Sequence, residues 1–142
     1  MSKIRVPKSI RQAVIDRAKD CCEYCVGQQA YSMDTFSIEH TFPRSKGGTN
    51  DFDNLALSCQ GCNTCKHTHT HAIDPETNQI MPLYNPRKNK WEEHFSWNKD
   101  YTIVIGLTPT GRATIELLQL NRLGNQNLRQ VLYLTGYHPP TL

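Results

Sequence analysis

A chain of 142 residues fits one domain with one modest core, and its 37% hydrophobic and 20% charged residues exclude a disordered polymer. No apolar run nears the roughly 20 residues that span a bilayer, and the basic start MSKIRVPKSI has no apolar stretch behind it. Membrane insertion and a secretory leader are thus not expected, and the cytoplasm is the expected compartment. The net charge of +3 is too small to argue for nucleic acid by itself.

Residues 1–20 hold Lys3, Arg5, Lys8, Arg11, Arg17 and Lys19 against Asp16 and Asp20. Ile10, Ala13, Val14 and Ala18 recur at helical spacing, so a helix is predicted over 7–20, with Pro7 in its first turn. Its basic face suits phosphates or water equally well. Residues 36–42 read as a strand stopped by Pro43, and 44–50 as a loop around Gly47-Gly48. Residues 55–58 read as a second strand, followed by a helix from Gln60 past Lys66. Asp74-Pro75 and Asn85-Pro86 mark turns. A hairpin is predicted from 94–97 and 101–107, then a helix over 112–120. Asn121 is the expected N-cap of a last helix carrying Leu128, Val131 and Leu132.

Six cysteines in a chain without a secretion signal point to metal rather than disulfides. Cys22-x-x-Cys25 and Cys59-x-x-Cys62 supply four thiolates, the donor set of a closed structural zinc site. Such a site clamps the intervening residues at both ends and leaves no open position for chemistry. Cys62-x-x-Cys65 is a second possible pairing. Cys59 with Cys62 mirrors the first pair, which leaves Cys21 and Cys65 as ordinary thiols.

Between the pairs lie Glu39-His40 before Pro43, Gly47-Gly48, Asn54-Leu55, and Cys59-x-x-Cys62-Asn63-x-x-Lys66. In order and spacing these resemble the HNH endonuclease family over residues 22–66. The C-terminal Asp74-Pro75, Leu83 to Arg87, Trp91, His94-Phe95 and Thr110-Gly111-Arg112 resemble one branch of standalone HNH proteins more loosely. The resemblance implies an α+β fold: a ββα-metal core with a structural zinc on four cysteines, flanking helices, and a C-terminal hairpin plus helices. One nuclease domain over 1–142 is expected, with core 22–68, N-terminal helix 7–20 and supporting region 72–142.

The same resemblance implies site roles. His40 is the general base and Glu39 a ligand of one catalytic ion, where many family members carry Asp. Asn54 holds the loop that orients His40, and Asn63 is the second ligand. Chemistry agrees, since a neutral imidazole can deprotonate water and a hard cation can stabilise the leaving oxygen. Oxygen ligands favour Mg²⁺ or Mn²⁺. His67, four residues after Asn63 on the predicted helix, is a possible third ligand that would widen tolerance towards Ni²⁺ or Co²⁺. Glu39 and His40 cannot both face one ion from a regular strand. Either the strand ends or bulges there, or His40 reaches the phosphate from beside the ion. Arg44, Lys46 and Lys66 are candidate phosphate contacts, and DNA is the expected partner. A zinc-held nucleic-acid-binding module without catalysis is the competing reading, and a degenerate HNH interaction protein a third.

Overall fold

A computed structural model describes residues 6–142. Lys3 and Arg5 of the basic N-terminal stretch lie outside the described residues. The first helix, α1 (Lys8–Arg17), is shorter than predicted, because Lys19 and Asp20 adopt left-handed backbone angles that turn the chain into the first cysteine pair. Its arginines are spoken for. Arg11 donates to the Phe36 carbonyl, and Arg17 donates to the carbonyls of Phe52 and Leu55 with its guanidinium 3.7 Å from the Phe52 ring. Half of the apparent basic face among residues 6–20 therefore ties α1 to the elements that follow.

Strands β1 (Ser37–His40) and β2 (Leu55–Ser58) pair antiparallel, with Glu39 opposite Ala56 and His40 opposite Leu55. All four β2 residues are buried, as expected for a short strand covered on both faces. Helix α2 (Gln60–Lys66) follows at once, with Cys59 as N-cap accepting from the Cys62 amide. The helix ends at Lys66, not past it, because His67 takes φ 49° and ψ −123° and closes the last turn.

The supporting region is built of short pieces. A hairpin of β3 (His71–Ile73) and β4 (Ile80–Pro82), which the sequence pattern does not reveal, turns at Asp74-Pro75. One turn of helix, α3 (Trp91–His94), leads into the hairpin of β5 (Phe95–Trp97) and β6 (Val104–Gly106). Helix α4 (Pro109–Leu118) starts three residues earlier than predicted, capped by the Thr108 hydroxyl on the Gly111 amide. Gly111 lies inside that first turn because a β-carbon there would sit 2.2 Å from the His94 carbonyl oxygen. Helix α5 (Leu123–Leu134) begins after Arg122, and Asn121 is not its cap. The Asn121 amide instead bonds both the N–H and the carbonyl of Val104 on β6.

A single buried cluster joins these parts. Val14, Leu55, Leu57, Phe36 and the cysteine pairs pack with Leu83, Tyr84, Phe95, Leu118 and Leu120. The C-terminal motifs serve this packing. The Trp91 indole donates to the Tyr24 carbonyl, Arg87 pairs with Glu23, and Arg112 holds the buried Asp74 with two N–H donors. Among the described residues no helix is long and apolar enough to cross a membrane.

Candidate active site and cysteine cluster

The sulfurs of Cys22, Cys25, Cys59 and Cys62 lie within 4.8 Å of one another, all buried. Cys25 and Cys59 are 3.7 Å apart. A tetrahedral ion at a Zn–S distance of about 2.3 Å spaces its sulfurs by about 3.8 Å, so the cluster can hold a metal such as zinc. It is the one group of three or more His, Cys, Asp or Glu side chains among the described residues placed to do so. Local backbone aims the sulfurs. Val26 turns the first knuckle at φ 66°, and the amides of Gly27 and Cys62 point at the sulfurs of Cys25 and Cys59.

Further N–H donors come from far along the chain. Arg122 points its guanidinium at Cys59 Sγ (3.2 Å) and Cys62 Sγ (3.7 Å). Gly61 makes room for it, since a β-carbon there would lie 2.4 Å from the guanidinium. The sequence carries no sign of this contact, because a lone Arg before a helix reads as surface charge. Cys21 and Cys65 stay outside the cluster. Cys21 is buried, and burial pushes its thiol up to about 11, so it stays protonated at neutral pH.

His40 and Glu39 leave opposite faces of β1. His40 is the last residue of the strand and half-exposed, and its Nε2 lies 2.7 Å from Asn50 Oδ1. Glu39 points inward and is 5% exposed. One of its oxygens accepts from the Tyr24 hydroxyl at 2.8 Å, and the other contacts the Lys66 ammonium. Lys66 also reaches the carbonyls of Thr41 (3.3 Å) and His40 (3.5 Å). Burial raises the Glu39 pKa, and the Lys66 charge pulls against that rise.

Asn54 closes the loop after His40 through all four amide contacts. It donates to the carbonyls of Phe42 (3.0 Å) and Thr49 (2.8 Å), and accepts from the Phe42 amide and the Thr41 hydroxyl, both at 2.8 Å. The loop it closes needs glycine twice. Gly47 has φ 98°, and a β-carbon on Gly48 would overlap the Phe42 carbonyl.

Other expected site residues stand as follows. Asn63 is half-exposed on α2, and His67 is exposed beyond its end rather than one helical turn on. Arg44 and Lys46 are exposed in the loop. Lys66 is 3% exposed and its charge pairs with Glu39 inside the protein. His94 is packed, bonding Thr108 through Nδ1 and lying edge-on to Tyr84.

Residues 22–69 match the HNH endonuclease family model. The match takes in all four clustered cysteines, both strands and α2. An HNH endonuclease domain implies a nuclease acting on nucleic acid. No curated protein matches the chain at a significant level.

Proposed function

We propose that this chain is an endonuclease that hydrolyses phosphodiester bonds in DNA, working as one domain around a ββα core held by structural zinc at Cys22, Cys25, Cys59 and Cys62. The observation that carries the reading is His40. Within the HNH-matching segment its imidazole is half-exposed at a strand end and held through one ring nitrogen, so the other can take a proton. In the reaction, that nitrogen accepts a proton from water, the water oxygen forms a bond to phosphorus, and the bond to the 3′ oxygen breaks. The leaving oxygen is then protonated from solvent. Asn54 serves by fixing the loop beside the base. Arg44 and Lys46, exposed on that loop, are placed to meet phosphates. A cleft of about 870 Å³ lined by Phe42, Asn54, Arg87, Lys88 and His94 offers room for a strand beyond the cut.

The family resemblance adds a catalytic Mg²⁺ or Mn²⁺ at Glu39 and Asn63, with Ni²⁺ or Co²⁺ tolerated if His67 joins. Such an ion would stabilise charge on the phosphate and leaving oxygen. The residues as placed do not fit that set. Tyr24 and Lys66 take the two Glu39 oxygens, and His67 lies past the end of α2. This same pair favours the second reading, a zinc-held module that binds nucleic acid without cutting it.

Supercoiled plasmid separates the two. Incubation with Mg²⁺ or Mn²⁺ should yield nicked or linear DNA, and His40→Ala should lower the rate by about 10²–10⁴-fold. Plasmid retarded but uncut with every divalent ion would leave the binding module standing. Cutting undiminished when Mg²⁺ and Mn²⁺ are left out would remove the added divalent ion from the account.

A further inference from the structure

We infer that Asn50 is the residue that positions His40 and sets its tautomer, so that Nδ1 is the nitrogen left to accept a proton. Asn50 Oδ1 lies 2.7 Å from His40 Nε2. A carboxamide oxygen only accepts, so Nε2 carries the hydrogen in this contact and Nδ1 keeps its lone pair. In neutral imidazole the partner of one nitrogen decides the chemistry of the other.

The placement of Asn50 is built rather than incidental. Its neighbour Thr49 gives its carbonyl to Asn54 Nδ2 at 2.8 Å, and Asn54 also grips Phe42 by both its N–H and its carbonyl. On the other side, Asp51 is tied down by its own amide and carboxylate to the Thr49 hydroxyl, and its carbonyl accepts from the Asn54 amide. Gly48 allows the loop to fold back against the Phe42 carbonyl. Asn54 thus acts on His40 at one remove: it fixes the loop, the loop presents Asn50, and Asn50 holds the ring.

The charged groups around His40 are Glu39 on its own strand and Lys66 on α2, whose Nζ is 3.5 Å from the His40 carbonyl. They pair with each other. Asp51 and Arg44 belong to the loop that follows the strand. The neutral amide of Asn50 is hydrogen-bonded to the ring itself.

The inference rests on the nuclease reading for its kinetic half only. The structural half is read by ¹⁵N-resolved NMR of the His40 ring in the full-length zinc-loaded protein, without substrate. Neutral His40 should be the Nε2–H form. Asn50→Ala should give a mixture of tautomers, and Asn50→Asp, whose carboxylate still accepts from Nε2–H, should restore the Nε2–H form. In plasmid cleavage, Asn50→Ala should lower kcat about tenfold or more with KM little changed. Asn50→Asp, which keeps an acceptor oxygen at the same place, should restore most of that rate. A merely structural role would leave the tautomer unchanged and would not be rescued by the conservative variant. Neutral His40 found as the Nδ1–H form, or an Asn50→Ala protein with the parent tautomer and kcat, overturns the inference. If the parent protein cuts nothing, the nuclease reading fails, and the NMR result alone still decides whether Asn50 sets the ring.

Discussion

At the scale of single residues, the outcome turns on which face of β1 each side chain takes. The family resemblance puts the adjacent Glu39 and His40 around one ion, and the strand sends them apart. Glu39 is buried against a lysine and a tyrosine, a pairing invisible in the sequence because a lysine in the last turn of a helix ordinarily faces water. His40 and Asn54 are legible because their spacing belongs to a recurrent motif. Asn50 is not, since an Asn after Gly-Gly-Thr looks like any turn residue. The buried pair makes a sharp prediction. Lys66→Met strands a carboxylate in the core and should cost about 3–5 kcal/mol of stability at neutral pH by urea unfolding. Adding Glu39→Gln removes the stranded charge and should recover most of the loss, giving a large coupling in the double-mutant cycle. Additive effects would mean the two side chains do not meet. The pair also bears on the ion. If Mg²⁺ or Mn²⁺ must take Glu39 from Lys66, Lys66→Met should bind Mn²⁺ more tightly than the parent, measured by electron paramagnetic resonance of free Mn²⁺ in the full-length protein.

At the scale of elements, β2 is legible to the residue because four apolar or small residues between turn signals fit little else. Helix α2 is legible at its start, where Cys59 caps it, but the pattern overruns its end. Helix α4 reads as starting late because Gly111 looks like a breaker, whereas its missing β-carbon lets the helix start press on the His94 carbonyl. Asn121 looks like a cap and is instead a clasp on β6. The β3–β4 turn is the element most open to test. Arg112 donates twice to the Asp74 carboxylate, and the Thr77 hydroxyl and Glu76 amide add to it. These bonds, the Arg112 contact foremost, hold the Asp74 carboxyl well below its usual range. A depressed folded-state pKa contributes stability that is complete above the unfolded value of about 3.9 and fades as pH falls below it. Asp74→Asn should therefore lower Tm at pH 7, and the gap to the parent should narrow steadily below about pH 4. A gap independent of pH would assign the loss to packing rather than charge.

Arg122 extends the same logic to the cysteine cluster. Four thiolates on a divalent ion carry a net charge of −2, and Arg122 is the cation in contact with two of the sulfurs. Outer groups of this kind commonly set metal affinity by about 10–100-fold. Arg122→Met should speed zinc transfer to a chromogenic chelator by a factor in that range. Gly61→Ala should act in the same direction, since its β-carbon displaces the guanidinium. Unchanged release in both variants would make Arg122 a bystander.

At the scale of the whole molecule, the cysteine cluster is the point where distant parts of the chain meet. The first pair lies in the knuckle after α1, and the second caps α2 right after β2. Arg122 reaches it from the start of α5, and Arg129 within α5 bonds the Cys25 and Leu120 carbonyls at 3.5 and 2.7 Å. The knuckle is also bound to β2, since Glu23 bonds Leu57 through both its amide and its carboxylate. Little of the core remains independent of these ties, and metal binding of this type is itself folding free energy. Removing zinc with a strong chelator should thus unfold the β1–β2–α2 segment together with the packing of the C-terminal region, not the knuckle alone. Trp91 reports the event, because its indole donates to the Tyr24 carbonyl inside the knuckle. Its fluorescence should shift to the red in step with the loss of helical circular dichroism, and Cys59→Ser should reproduce that state without chelator. If fluorescence changed while the helical signal and Tm held, the cluster would be a local clip rather than the centre of the fold, and His40 would be held by the hairpin and its Asn54-fixed loop alone.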